Sequence, residues 1–561
     1  MTAVDCLVIG YNEGSFAEYQ AICERTAPGS PERQIYSRER LRFRGREMPW
    51  LEAFSQLRAE VTGRPDRYHP AEVLNLACLY LTSYLRRQGL AAEAIFSVTG
   101  QWSELAAALA AAPRVVAVTT TFYVSVSPVL PIVELVRALS PTSRIVIGGP
   151  LVDNLAQDHA PLNLCDEDLN DLFDIMGADA YVWESQGERS LADICQAVRA
   201  GVGLDSVPNL FLRQENRGTW ALTSRSPETN DLDGCAIDWT GFRDVGLGTT
   251  VQLRTARSCA FRCTFCDYPS RAGALSLAGV DTVRRELRQL AELGAQNVVF
   301  VDDTFNVPPK RFAQLCEMMI EEDLGLSWYS YFRCSSARDT HVFDLAAESG
   351  CAGVFLGIES ADQTVLANMK KLAQDDQYRA GLYELNQRDI VSFASIIVGF
   401  PGETEDSVQR TRDFLEETRP TFWRAQSWWA NPRSPIYRDR EKFGINGRAY
   451  SWRHDTMNSD EAAAHCDALF DQVQATTWLP LYDFDFWSIP YLRGKGMAVG
   501  TLVEALRRSQ AVMRTEAAPA AKHDAAMRAF EDYVRSIPEL IPARFQLPGS
   551  SVPEPTSGRW P

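Results

Sequence analysis

The feature of this sequence that most restricts its fold is an alternation of short apolar runs with helix-length amphipathic stretches along the first two hundred residues. The runs resemble buried β-strands and cover residues 4–9, 94–98, 115–119, 145–147 and 180–183. The stretches with helical spacing of apolar residues are 72–88, 103–110, 128–139 and 188–200. Strands alternating with helices predict a doubly wound parallel sheet, which binds ligands beyond the carboxyl ends of its strands.

A second alternating series begins near residue 249. Its predicted strands are 250–254, 297–301, 328–333, 354–358, 391–398 and 423–428, and its predicted helices are 280–293, 309–321, 340–348, 375–386 and 405–417. Six strand–helix units predict a partial barrel, open where an eight-unit barrel closes. Helices predicted at 460–472, 497–512 and 521–536 indicate a mainly helical C-terminal part.

These patterns divide the 561 residues into domains of ordinary size. We expect a Rossmann-like α/β domain at 1–215, a linker at 216–245, a barrel at 246–436, and a C-terminal domain at 437–561 that ends in a frayed tail. An Arg-rich, Pro-punctuated segment at about 22–70 breaks the first series. We interpret it as an insertion lying across the first domain.

Composition narrows the function. The formal net charge of −17 argues against a protein that binds nucleic acid by neutralising phosphates. Thirteen cysteines are scattered along a chain too large to need disulfides, and no apolar run is long enough to span a bilayer. With no signal-peptide pattern at its start, the chain is expected to be cytoplasmic and to have no membrane partner.

One motif carries chemistry: Cys259, Cys263 and Cys266 form a CxxxCxxC pattern directly after the first strand of the second series. Three thiolates in one loop suit zinc or an iron–sulfur cluster. Structural zinc prefers four ligands, and no nearby Cys or His supplies a fourth. A [4Fe–4S] cluster held by three thiolates leaves one iron open for another ligand.

The motif and its place in a six-unit barrel resemble the radical S-adenosylmethionine (SAM) superfamily. The resemblance implies that the three cysteines hold a [4Fe–4S] cluster whose open iron chelates SAM, with Phe265 packing near the adenine. Motifs at the later strand ends, 301–304, 357–360 and 399–404, also match. By this similarity, Asp302, Glu359 and Ser360 face the cofactor.

An α/β domain before such a barrel resembles the cobalamin-dependent members, which implies that residues 1–215 bind cobalamin (as methylcobalamin). The glycine- and threonine-rich strand ends fit such a ligand, although plain turns use the same residue types. The best candidate contacts are Thr120, Thr121, Gly148 and Gly149. No Asp-x-His-x-x-Gly motif follows the first strand, so cobalt is expected to lack a histidine ligand. Arg67 is either a cation below the cobalt or a surface arginine.

The sequence looks closest to a branch that holds a tryptophan 2-C-methyltransferase and a phosphinate P-methyltransferase of antibiotic biosynthesis. The resemblance implies that the methyl group of SAM passes through methylcobalamin to a small acceptor, with tryptophan favoured, and that an electron donor reduces the cobalamin. Polar transfer would be enforced by a carboxylate on the open iron, from Glu286, Glu359 or another residue. A radical enzyme acting on another acceptor, and a cobalamin-binding regulator with an inert barrel, are the alternatives.

Two groups of residues are candidates for the acceptor pocket. The first group is aromatic, and it either lines a pocket for a flat indole or belongs to the hydrophobic core. Its members are Phe422, Trp423, Trp428, Trp429, Trp478, Phe486 and Trp487. Arg424 and Arg433 could grip a carboxylate or a phosphinate, and a free amino acid also offers a carboxylate.

Overall fold

The structure is a computed structural model that describes residues 4–159, 167–214, 218–229, 231–336, 340–480, 482 and 486–547. The predicted frayed tail lies outside these residues. By contacts the chain forms two compact units. The first unit comprises Met1–Ser15, Ala71–Leu247 and Ser276–Leu293, and the second comprises Phe16–Pro70, Gly248–Leu275 and Gly294–Pro561.

The first unit is built on a seven-stranded sheet, which confirms the predicted doubly wound fold. Its strands are β1 (Cys6–Tyr11), β2 (Ala92–Ser97), β3 (Val115–Thr119), β4 (Arg144–Gly148), β5 (Ala180–Val182), β6 (Leu210–Gln214) and β7 (Thr219–Leu222). The order is β7-β6-β5-β4-β3-β1-β2, with β1 to β5 parallel and the β6–β7 hairpin antiparallel. Its main helices are Leu76–Arg87, Trp102–Ala110, Leu130–Leu139, Pro150–His159, Glu167–Met176, Glu188–Ala200 and Val280–Glu292.

The segment predicted as a linker at 216–245 is instead built into the first unit. Strand β7, the helix Leu232–Cys235 and the 3-10 helix Trp239–Val245 occupy half of its positions. Trp220 and Trp239 are buried, and Trp220 packs its ring against Tyr181 with 5.0 Å between centroids. In the sequence this segment resembles a linker because its polar turn residues outnumber the few apolar side chains that anchor it.

The Arg-rich segment also differs from the prediction, because its contacts place residues 16–70 in the second unit. It forms helices Phe16–Glu24, Pro31–Glu39 and Trp50–Thr62, a hairpin of Arg40–Phe43 with Arg46–Pro49, and the strand Asp66–Arg67. The buried Arg58 guanidinium donates to the carbonyl oxygens of Val534 and Ile537 at 3.0 and 2.7 Å. Such contacts tie the segment to the C-terminal helices.

The second unit holds the predicted open barrel. Its seven parallel strands are β8 (Thr250–Leu253), β9 (Asn297–Phe300), β10 (Ser327–Phe332), β11 (Cys351–Glu359), β12 (Val391–Val398), β13 (Phe422–Ser427) and β14 (Thr477–Trp478), in that order. Its helices include Pro309–Glu322, His341–Glu348, Gln363–Asn368, Asp375–Gln387, Glu405–Thr418, Ser459–Gln472, Ser488–Gly494, Val499–Arg514 and Ala520–Ser536. Within the described residues, the edge strands β8 and β14 are not paired with each other. None of the described helices is long and apolar enough to cross a membrane.

Candidate functional site

The cysteine triplet lies in the loop that follows β8, at the carboxyl edge of the second sheet. Cys259, Cys263 and Cys266 all have free, half-buried thiols. The loop bends at Ser258, whose φ of 70° is left-handed and whose hydroxyl donates to the carbonyl oxygen of Gly273 at 2.7 Å. The three thiols are therefore presented by a shaped loop at the edge where barrels of this kind bind ligands.

Thr264 anchors the middle of the cysteine loop. Its backbone N–H donates to the carbonyl oxygen of Met369 at 2.9 Å, and its hydroxyl donates to that of Asn368 at 2.7 Å. The Asn368 amide in turn donates to the carbonyl oxygen of Pro401 at 3.0 Å. The cysteine loop is thus tied through the 368–369 turn to the motif at 399–404.

Charged side chains surround the cysteine loop and act on its thiols. Burial raises the pKa of Cys263, while the positive charges of Lys371 and Arg333 lower it and the negative charge of Glu359 raises it. Burial likewise raises the pKa of Cys266 to about 11. Without a metal the Cys263 and Cys266 thiols are protonated at neutral pH, so cluster binding must displace their protons.

Within the described residues, the three thiols are not gathered as ligands of a single ion. Among the residues that the structure describes, no three His, Cys, Asp or Glu side chains are gathered around one metal-ion position. A zinc ion needs its ligands at bonding distance from one centre. Three cysteines that each bind a different iron of a [4Fe–4S] cluster stand further apart than the ligands of one zinc ion. The absence of a single-ion site therefore does not disfavour a cluster.

Asp302 follows β9 and is fully engaged by the backbone after β8. Its Oδ1 accepts from the N–H groups of Thr255 and Ala256 at 2.6 and 2.9 Å, and its Oδ2 accepts from the Thr255 hydroxyl at 2.5 Å. Arg311 also donates to Thr255, at 3.0 and 3.2 Å. The carboxylate therefore fixes the start of the cysteine loop, which is a positioning role.

Glu359 and Ser360 end β11, where the pairing with β12 shifts register. The Glu359 carboxylate forms a buried ion pair with Lys371, with 3.0 Å between Oε1 and Nζ. The backbone of Glu359 is left-handed, with a φ of 66°. The Lys371 ammonium lies 5.6 Å from the centre of the Phe265 ring, within cation–π distance. The buried Ser360 hydroxyl accepts from the N–H of Asp362 at 3.1 Å. The structure thus brings Glu359 and Phe265 together through Lys371, which sequence reasoning missed.

The motif at 399–404 closes tightly on the aromatic residues behind it. Gly399 has a φ of 87°, and a Cβ there would lie 2.5 Å from the Trp452 ring. Phe400 packs edge-on against Phe265, with 6.4 Å between ring centres. Burial raises the pKa of Glu403, whose carboxylate accepts from the N–H of Gly399, to about 8. The motif supports the Phe265 side of the cysteine loop.

Glu286, the other candidate for the open iron, has a structural role. It is buried on the helix Val280–Glu292, and its Oε1 accepts from the Ile237 N–H at 2.9 Å and from the Trp239 indole N–H at 3.3 Å. Burial raises its pKa from 4.5 to about 7. The carboxyl holds the 237–239 segment in place.

The raised pKa of Glu286 predicts a pH-dependent stability. Because the folded pKa exceeds the unfolded one, folding binds a proton between pH 4.5 and 7, and stability falls as pH rises through that window. The E286Q variant is expected to gain stability relative to the wild type over the same window, by up to about 3 kcal/mol. Denaturant unfolding at pH 5 and pH 8 measures this, and an equal difference at both pH values would contradict it.

The aromatic candidates divide into a core and a lining. Trp423 and Trp478 are buried, pack edge-to-face with ring centres 5.1 Å apart, and belong to the core, as does Phe422. Trp428 is buried against Phe400, with 5.4 Å between ring centres, and Trp429 is 54% exposed. These residues therefore do not line a pocket for an indole.

Phe486 and Trp487 instead join aromatic residues on the inner face of the barrel. Tyr331 and Phe355 are opposite residues of β10 and β11, with ring centres 4.6 Å apart. Trp487 meets Tyr331 edge-on at 5.3 Å, and the buried Phe486 lies 5.8 Å from Phe355. Tyr331, Phe355 and Trp487 are only half-buried. We name these four residues the aromatic lining; its three half-buried members leave part of their ring surface accessible.

Neither arginine candidate is placed to hold an acceptor by itself. Arg424 forms a buried ion pair with Glu39, 2.5 Å between Nη2 and Oε1, and the Tyr19 hydroxyl donates to the other oxygen of Glu39. Arg433 lies 3.4 Å from the carboxylate of Asp267, the residue after Cys266. Arg424 therefore completes an internal charge pair, and Arg433 contacts the cysteine loop.

In the first unit, the strand order reverses between β1 and β3, because β1 lies between β2 and β3. Sheets of this order bind ligands in the crevice at that reversal. The residues after β3 at this edge are open: Thr121 and Phe122 are exposed, and Val124 is fully so. Phe122 packs edge-on with Tyr11 at the end of β1, 6.2 Å between ring centres.

The other candidates of this edge have internal roles. The buried Thr120 hydroxyl donates to the Gly148 carbonyl oxygen at 2.9 Å and accepts from the Leu151 N–H at 3.2 Å. Gly149 has a φ of 108°, and a Cβ there would lie 2.9 Å from the Thr120 hydroxyl oxygen. Arg67 belongs to the second unit, where its strand pairs with Phe545. A place below a cobalt stays a prediction for Arg67.

Comparison with known proteins agrees with this geometry. Residues 253–415 match the family model of the radical SAM superfamily. The bacteriochlorophyllide d C-12(1)-methyltransferase of Chlorobaculum tepidum is 30% identical over 37% of this chain and 46% of its own length. The anaerobic magnesium-protoporphyrin IX monomethyl ester cyclase of Rubrivivax gelatinosus is 25% identical over 40% of this chain and 41% of its own. The chain thus spans less than half the length of these curated relatives.

Two solved structures share the fold. The radical SAM methyltransferase TsrM from Kitasatospora setae, with cobalamin and a [4Fe–4S] cluster bound, matches with a TM-score of 0.53 and 20% identity, covering 66% of this chain and 75% of TsrM. The cobalamin-dependent radical SAM enzyme OxsB, with aqua-cobalamin bound, matches with a TM-score of 0.56 and 15% identity, covering 82% of this chain and 73% of OxsB.

Proposed function

We propose that this chain, whose residues 253–415 form a radical SAM domain, is a cobalamin-dependent methyltransferase that moves the methyl group of SAM to a small acceptor. The observation that carries the proposal is the CxxxCxxC loop after β8, preceded in the same chain by a doubly wound sheet with an open edge. TsrM and OxsB, which share this fold, were solved with cobalamin bound.

The chain's own residues would hold and shape the cluster. Cys259, Cys263 and Cys266 would supply three thiolates, and the cluster would offer SAM an iron with a free position. Lys371 and Arg333 place positive charge near Cys263, which favours its thiolate. Asp302 holds the start of the loop, and Phe265 offers a half-buried ring to the adenine.

The Glu359–Lys371 pair is the proposed docking point for the amino and carboxylate groups of SAM. A zwitterionic amino-acid head group can pair its ammonium with Glu359 and its carboxylate with Lys371. Both side chains are buried, so these interactions would be little screened by water. Glu286 is engaged by Ile237, and Glu359 is assigned here to the head group of SAM, so neither carboxylate is assigned to the open iron.

Cobalamin would accept the methyl group and pass it to the acceptor, at the crevice where the first sheet reverses its strand order. Phe122 and Val124 offer exposed apolar surface to a large flat ring there, and Thr121 adds a hydroxyl. No histidine lies among residues 10–14, the position from which related domains coordinate cobalt.

Tryptophan is the acceptor that the chemistry of the barrel favours. The aromatic lining of Tyr331, Phe355, Phe486 and Trp487 suits a flat indole, which packs edge-on or offset against such rings. TsrM was solved with a tryptophan substrate bound. Indole C2 is nucleophilic, so its methylation needs no hydrogen abstraction.

The test uses protein reconstituted anaerobically with iron, sulfide and cobalamin, then given SAM, a low-potential reductant and tryptophan. Methyltryptophan that matches S-adenosylhomocysteine in amount, without 5′-deoxyadenosine, is the expected result. Deoxyadenosine without methyltryptophan would indicate a radical enzyme with another acceptor, such as a phosphinate. Binding of cobalamin without any turnover would indicate a regulator.

The aromatic lining predicts a specific loss on mutation. The W487A variant is expected to raise the KM for tryptophan about 3–10-fold, because one edge-to-face contact contributes about 0.5–1.5 kcal/mol. The W429A variant is the matched control, since Trp429 is 54% exposed and should leave KM unchanged. Steady-state kinetics measures both, and equal KM values in W487A and wild type would remove Trp487 from the acceptor pocket.

A further inference from the structure

A cavity of about 550 Å³ opens beside the barrel strands and is lined by four arginines, Arg433, Arg438, Arg440 and Arg448. We name these four residues the arginine face. The surrounding segment 432–448 holds five basic and two acidic residues, whereas the whole chain has a net charge of −17. A concentrated positive surface on an acidic protein attracts negatively charged partners selectively.

The backbone that carries the arginine face is braced. The Tyr437 hydroxyl donates to the Gly447 carbonyl oxygen at 2.5 Å, which joins the two sides of the cavity. Ala430 and Ala449 form an antiparallel bridge just outside them. The arginine side chains therefore project from a fixed frame.

Three members of the arginine face are available to a partner. Arg438, Arg440 and Arg448 are exposed, and within the described part of the chain none of them forms an ion pair with a carboxylate. A single exposed ion pair contributes only about 0–1 kcal/mol of binding free energy, so a small anion that pairs with one of these arginines would bind weakly. Several such charges acting together steer and orient a macromolecule with a complementary surface.

The arginine face directly adjoins the cysteine loop. Arg433 contacts the carboxylate of Asp267, next to Cys266, at 3.4 Å. The Ile436 N–H donates to the carbonyl oxygen of Thr264, between Cys263 and Cys266, at 2.9 Å. A partner bound at this face would lie against the backbone that holds the proposed cluster.

We propose that the arginine face docks an acidic electron-transfer protein of the flavin or iron–sulfur class. The inference rests on the proposed function, in which an electron donor must reduce the cobalamin. In the transfer, one electron leaves the reduced donor and enters the cluster, so the donor is oxidised by one electron and the cluster is reduced by one.

The test compares R438E/R440E/R448E with the control K310E/K522E/R528E, which reverses three exposed basic residues on the helices Pro309–Glu322 and Ala520–Ser536. A reduced flavodoxin is mixed with each reconstituted protein, and cluster bleaching gives the reduction rate. Fluorescence anisotropy of the oxidised flavodoxin gives its affinity. Dithionite serves as the small reductant.

The arginine-face variant is expected to lose about 10–100-fold in rate and affinity with flavodoxin at low salt, and to match wild type with dithionite. Equal values for both variants with flavodoxin would overturn the docking proposal. Loss of acceptor methylation with dithionite would assign these arginines to the acceptor and also overturn it. Failure of the wild-type protein to hold a cluster would instead refute the proposed function.

Discussion

The C263A variant is expected to lose its iron and all turnover. Three thiolates hold the proposed cluster, and removing one leaves a second iron without a protein ligand. Cys263 sits centrally in the loop, next to the Thr264 anchor, and the charges of Lys371 and Arg333 act on it. Iron and acid-labile sulfide analysis, with the visible absorption spectrum, measures the loss.

The matched control for this variant is C235S, which changes a half-buried cysteine of the first unit. It should retain full iron and sulfide. If C263A bound as much iron as C235S, or if the wild-type protein bound zinc in place of iron, the assignment of the cysteine loop to a [4Fe–4S] cluster would be wrong.

The R424M variant is expected to lower the free energy of unfolding by about 3–5 kcal/mol, because it leaves the buried Glu39 carboxylate without its partner. The double variant R424M/E39Q removes both charges and should recover much of that loss. Denaturant unfolding followed by tryptophan fluorescence measures both, since the Arg424 guanidinium lies 5.8 Å from the Trp478 ring.

A different outcome would restore Arg424 to the acceptor pocket. If R424M lost less than about 1 kcal/mol of stability while the KM for the acceptor rose, the arginine would act on substrate. The internal ion pair predicts the opposite pattern, with a loss of stability that E39Q compensates.

Strands β1 to β5 and β8 to β13 could be predicted from the sequence because each is a short apolar run bounded by turn residues, whereas the β6–β7 hairpin was not predicted. The packing of residues 16–70 could not be, since it depends on contacts such as Arg58 with the 534–538 carbonyl groups, which are distant in sequence. The strand β14 was also missed, because two residues carry no periodicity.

In the candidate site too, the residues close together in sequence could be predicted and the contacts between distant residues could not. Local spacing identified Cys259, Cys263 and Cys266, whose chemistry lies within one loop. Lys371 has no local signature in the sequence, and its place beside the cysteines is seen from the hydrogen bonds of Thr264 to the 368–369 turn and from its contact with the Phe265 ring. Arg424 was assigned to the acceptor because Glu39, its partner, lies 385 residues away in the sequence.

The most direct test of the central claim is a single-turnover assay with SAM that carries a deuterated methyl group. The reconstituted protein is assayed with and without bound cobalamin, and mass spectrometry follows the label into the acceptor and into S-adenosylhomocysteine formation. We predict labelled product and S-adenosylhomocysteine only when cobalamin is bound. Equal methyl transfer by the cobalamin-free protein would contradict a cobalamin-dependent methyltransferase.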